Sequence, residues 1–102
     1  MNSNRRTLPP IHPGRVLKQI LSDAELSANQ VALALRIPAN RLTLIINGKR
    51  AMSADTALRL ARYFGTSAQM WMNLQTRYDL DVAEDAMADR VAREVQPLRK
   101  AS

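Results

Sequence analysis

Cysteine is absent from this chain of 102 residues, and histidine, phenylalanine and tryptophan occur once each. Without cysteine there are no disulfides, no thiolate zinc sites and no thiol nucleophile, so stability must come from packing and oligomerisation. A single histidine, His12, has no second ligand near it and reads as a loop or cap residue. Only three glycines are present, and none falls in a phosphate-cradling loop. Catalysis would need a nucleophile with its base, a paired acid and base, or metal ligands, and the sequence offers none of these. The chain therefore reads as a non-enzyme with no cofactor and no metal. No apolar run approaches the roughly 20 residues that cross a bilayer, and MNSNRRTLPPI has no signal-peptide core, so no membrane contact and a cytoplasmic location are expected.

Carboxylates are scarce in one region. Residues 27–52 carry four cations and no anion, whereas 1–26 carry four and two, 53–78 three and one, and 79–102 four and six. That carboxylate-free quarter, SANQVALALRIPANRLTLIINGKR, reads as two short helices joined by a turn at Ile37 and Pro38. At 100° per residue Leu42, Ile45 and Ile46 share one side of the second helix, and Asn40, Thr43, Leu44 and Asn47 share the other. Asn47-Gly48 closes it, because glycine enters the left-handed cap conformation at little cost, and Lys49 and Arg50 follow. Such a helix suits the major groove, with its polar face on base edges and the cations beyond its cap on phosphates.

This segment resembles the helix-turn-helix of the phage-repressor and Cro-like family. The wider strings HPGRVLKQIL and NRLTLIINGKRAMSADTALRLARYFGTSAQMWMNLQTRYDL resemble the HigA-type antitoxins within it, over roughly Ile11 to Val82. The resemblance implies a bacterial transcriptional repressor that also neutralises a small basic ribonuclease toxin and regulates its own operon. One position departs from the general pattern: Arg36 stands where a left-handed glycine is usual. Arginine there costs on the order of 1 kcal/mol, so the turn is expected to be re-shaped by Pro38 instead.

Elsewhere the pattern is helical throughout. Residues 1–10, with Arg5, Arg6 and Pro9-Pro10, read as a flexible arm whose cations are either solvated or available to a minor groove. Pro13 suits a helix's first turn, followed by Val16, Leu17, Ile20 and Leu21 at helical spacing. Ser27 caps a second helix whose Val31, Leu35 and Ile37 point inward. Ser53 opens a fourth, with Ala57, Leu58, Leu60, Ala61 and Phe64 apolar, and Gly65 closes it; Ser67 opens a fifth, with Trp71, Leu74 and Tyr78 facing the core. From Asp79 the composition changes, and Leu80, Ala83, Met87, Val91 and Val95 form a narrow apolar stripe that Gln96-Pro97 ends. The expected fold is all-α: a five-helix helix-turn-helix domain at 11–78 with an additional C-terminal helix and tail at 79–102.

The expected base contacts are Ala39, Asn40, Arg41, Thr43 and Leu44, with asparagine suited to adenine, arginine to guanine or phosphate and leucine to a thymine methyl. Expected phosphate contacts are Ser27, Asn29, Gln30, Asn47, Lys49 and Arg50. A small reader of this kind gains affinity as a homodimer on a palindrome of operator DNA. Exposed Met70 and Met72, with Leu80, Met87 and Val91, are the expected dimer or toxin contacts, and Asp79, Asp81, Glu84, Asp85 and Asp89 suit a basic partner. Two other readings compete: a stand-alone regulator with no toxin, and a helical protein-interaction module that does not bind DNA.

Overall fold

The computed structural model describes residues 8–99, so the arginine pair of the arm lies outside it. Five helices follow one another: α1 (Pro13–Asp23), α2 (Ala28–Leu35), α3 (Ala39–Ile46), α4 (Ala54–Phe64) and α5 (Ala68–Glu94), with no strand among the described residues. Local chemistry sets most of the boundaries. Ser27, Ser53 and Ser67 are N-caps whose hydroxyls accept from the backbone N–H three residues on. His12 caps α1, its Nδ1 accepting from the Gly14 N–H at 2.8 Å, and Pro13 fills the first helical position. Each cap of this type contributes on the order of 1 kcal/mol.

The turn between α2 and α3 corrects the expectation for Arg36. This residue does adopt the left-handed conformation, at φ 61° and ψ 44°. Its N–H donates to the Leu33 carbonyl and the Ile37 N–H to the Ala32 carbonyl, which satisfies two orphan acceptors at the helix end. The same closure places Ile37 in the core beside Ala32, and burying that side chain recovers about 1.5–3 kcal/mol, more than the strain costs. Pro38 does not re-shape the turn. It sits in extended conformation as the N-cap of α3. Glu25 closes α1 in the same left-handed manner, with Leu26 donating back to the Leu21 carbonyl.

The core is aliphatic around one ring system. Leu17, Val31, Leu42, Ile45, Met52, Leu60 and Trp71 are fully enclosed, and the Trp71 indole N–H donates to the Thr66 hydroxyl at 3.0 Å. Helix α3 packs on α1 and α2, and α5 packs on α4 and α1. Gly14 makes the α1–α3 contact possible: a Cβ there would stand 1.8 Å from the Ile45 carbonyl oxygen. Buried Gln75 joins the loop after α3 to α5, its Oε1 accepting from the Met52 N–H at 2.7 Å.

Two expectations change at the C-terminal side. The fifth helix and the additional one are a single helix, because nothing near Tyr78 and Asp79 breaks helical hydrogen bonding when the composition shifts. Met70 and Met72 are half-buried and pack against the core, so they are not the exposed contacts expected of them. Leu58 points outward, 64 % exposed. Leu80, Met87 and Val91 lie outside as expected. On the continuous helix they fall about 180° from Trp71, whose own side continues as Asp85 and Asp89.

Candidate nucleic-acid interface

The outward side of α3 is built by the burial of the other. With Leu42 and Ile45 enclosed, Ala39, Asn40, Thr43, Leu44 and Asn47 are left exposed along two turns. Leu44 keeps 37 % of its surface. The Thr43 hydroxyl donates to the Ala39 carbonyl at 3.0 Å, which fixes its rotamer and leaves its methyl and lone pairs outward. Helix α3 ends as expected. The Gly48 N–H donates to the Ile45 carbonyl and the Lys49 N–H to the Leu44 carbonyl, with Gly48 at φ 75°. This closure turns the chain so that Lys49 and Arg50 leave the helix end exposed.

Three of the expected contacts have other engagements. Arg41 is half-buried on the flank facing α4, with Nη1 3.2 Å from the Asp55 carboxylate. Asp55 is also bound by Arg59, whose guanidinium donates in turn to the Leu35 carbonyl at 2.9 Å. The Arg59 hydrogen bond, with the charges of both arginines, holds the Asp55 carboxyl below its ordinary value. Arg41 thus belongs to a brace between α2, α3 and α4, which sequence spacing gave no sign of. Ser27 and Gln30 form a reciprocal capping box, Ser27 Oγ accepting from the Gln30 N–H and Gln30 Oε1 from the Ser27 N–H. Both remain exposed at the start of α2 beside Asn29, with the Ser27 O–H and the Gln30 amide N–H still able to donate.

A short helix, a tight left-handed turn and a second short helix with one buried and one polar face define a helix-turn-helix module. Residues 17–71 match the helix-turn-helix family model, and the chain belongs to that family. It is similar to a solved addiction-module antidote protein of a HigA family from Coxiella burnetii, 46 % identical, with 89 % of this chain and 100 % of that one covered and a TM-score of 0.84. The Pseudomonas aeruginosa antitoxin HigA, solved with the higBA promoter, is 43 % identical over 88 % of this chain and 99 % of its own, with a TM-score of 0.85. Among curated relatives, virulence-associated protein I of Dichelobacter nodosus is 46 % identical over 83 residues, 80 % of this chain and 77 % of that protein. The resemblance to HigA-type antitoxins expected from the sequence is borne out.

Proposed function

We propose that this protein is a sequence-specific DNA-binding repressor and the antitoxin of a type II toxin-antitoxin pair, acting in the bacterial cytoplasm and regulating its own operon. The observation that carries this reading is α3 itself. It presents Asn40, Thr43, Leu44 and Asn47 outward from a packed body, with Lys49 and Arg50 beyond its cap and no carboxylate from 27 to 52. Asparagine can make two hydrogen bonds to adenine, the leucine and threonine methyls suit thymine, and the two cations suit phosphates. The promoter solved with the related Pseudomonas antitoxin supports DNA as the partner. Arg41 acts less as a free reader than as a residue whose position Asp55 sets.

The test uses DNA from immediately upstream of the chain's own reading frame. Asn40→Ala is expected to lower affinity by about 1–3 kcal/mol and to relax preference at one base position, whereas Lys49→Ala weakens binding to all sequences. Unchanged affinity and preference in Asn40→Ala would overturn the docking.

Homodimerisation and toxin binding belong to the same proposal. The apolar stripe of Leu80, Met87 and Val91 is exposed and faces away from the body, so a second molecule is needed to cover it. A second copy would place two recognition helices about 34–36 Å apart on a palindrome. For the toxin, the carboxylates from Asp79 to Asp89 suit a basic ribonuclease and leave α3 free. Asp81 is nearly enclosed and bonded to Arg77, and Asp79 accepts from Gln75, so part of that charge is spent within the chain. A basic ribonuclease encoded in the adjoining frame, neutralised on co-expression, is the expected result. Loss of neutralisation in Asp85→Asn/Asp89→Asn, with α3-dependent DNA binding retained, would support a toxin contact on α5.

A further inference from the structure

An open cleft of about 510 Å³ lies between the start of α1 and the end of α3. Its walls include Arg15 and Lys18 from α1, Ile46, Asn47 and Gly48 from α3 and its cap, and Tyr78 from α5, and no acidic side chain among the described residues lines it. Arg15 and Lys18 stand one helical turn apart, both exposed, and neither makes an ion pair among the described residues. The cleft opens beside the polar side of α3. Around that helix the surface passes from enclosed Ile45 to half-buried Ile46 and then to exposed Asn47, each step about 100°.

A helix with its side chains is about 10–12 Å across and the major groove about 12 Å wide, so a helix lying in it brings a phosphate wall along each flank. The flank of α3 toward α4 carries Arg41, held by the Asp55 carboxylate that it shares with Arg59. Its flank toward α1 carries Arg15 and Lys18, neither in an ion pair among the described residues, and the Asp79 carboxylate acts on His12. We propose that Arg15 and Lys18 form a second phosphate-binding site, clamping the DNA backbone on the α1 side of the recognition helix. The site adds to Lys49 and Arg50, and it rests on the DNA-binding reading above.

The test is Arg15→Gln/Lys18→Gln in the full chain, titrated against the upstream DNA and a random duplex over a range of salt. Each lost phosphate contact lowers the slope of log K against log salt by about 0.9, so the expected change is about 1 to 2 per bound chain. Affinity falls equally for both duplexes, and base preference is unchanged. The thermal melt, followed by circular dichroism, stays at the wild-type value because both side chains are exposed. Arg15→Lys/Lys18→Arg, which keeps both charges, retains the slope. Arg62→Gln/Arg93→Gln removes two exposed cations elsewhere and leaves the slope unchanged. A wild-type slope in the cleft variant, or an equal loss in the distant one, overturns the site while the DNA-binding reading stands. A wild-type protein that binds the upstream DNA with no salt dependence overturns both.

Discussion

Replacing Gly14 by alanine tests the packing that holds the recognition helix. The added Cβ would lie 1.8 Å from the Ile45 carbonyl oxygen, 2.7 Å from the carbon and 3.0 Å from His12 Nδ1. The first two are backbone atoms of α3 and cannot rotate aside. Reaching an ordinary contact of about 3.4 Å requires α1 and α3 to separate by roughly 1.6 Å along that direction, and overpacking of this kind costs about 1–3 kcal/mol. The His12 cap is disturbed by the same atom, adding on the order of 1 kcal/mol. Alanine's higher helix propensity returns at most about 1 kcal/mol. The expected net loss is about 1–3 kcal/mol, a fall in Tm of about 4–24 °C for a domain of this size. Calorimetry at equal protomer concentration checks it, since self-association makes Tm concentration-dependent. Because the Ile45 carbonyl also accepts the Gly48 N–H that turns the chain toward Lys49, DNA affinity should fall as well. A Gly14→Ala protein that melts at or above the wild-type temperature would refute the reasoning, since propensity would then outweigh packing.

Two further expectations follow from single residues. Arg36→Gly removes the left-handed strain while keeping both closing hydrogen bonds, so urea unfolding should show a gain of about 1 kcal/mol at an unchanged m-value; a loss would mean that the arginine side chain stabilises the turn. His12 is pushed below its ordinary value by burial, opposed by the Arg50 carbonyl and Asp79. The fold therefore favours neutral imidazole, and stability is fully present above the ordinary histidine range and lost as pH falls through the lowered folded value. His12→Asn, which keeps a capping acceptor, should flatten the fall in stability below the ordinary histidine range.

Local chemistry made much of this fold legible. The serine caps, the Asn47-Gly48 closure and the inward faces of α1, α2 and α3 depend on residues within one turn of each other, and periodicity finds those. What stayed hidden depends on which helices meet. Arg41 and Asp55 are 14 positions apart, and Gln75 reaches the Met52 amide across 23. Arg36 misled because propensity concerns one residue, whereas the turn is decided by two backbone hydrogen bonds and the burial of Ile37 next to it. Met70 and Met72 misled because a stripe counted from Trp71 is narrower than the face that α5 buries. The reading face of α3 was legible in membership but not in freedom: Asn40 and Leu44 stand clear, while Arg41 is braced.

The uninterrupted run of α5 has a metric consequence. The helix spans about 40 Å at 1.5 Å per residue, and between its outward stripe and α3 there is no linker. Gln75 fixes it to the Met52 amide, and the Tyr78 ring meets His12 edge-on at 4.9 Å. If two copies join through that stripe, the distance between their reading helices is a rigid dimension of the fold. Loop sequence cannot retune it. One residue inserted after Tyr78 would turn the stripe by about 100°, leaving each reader intact but throwing the pair out of phase with the turn of the duplex.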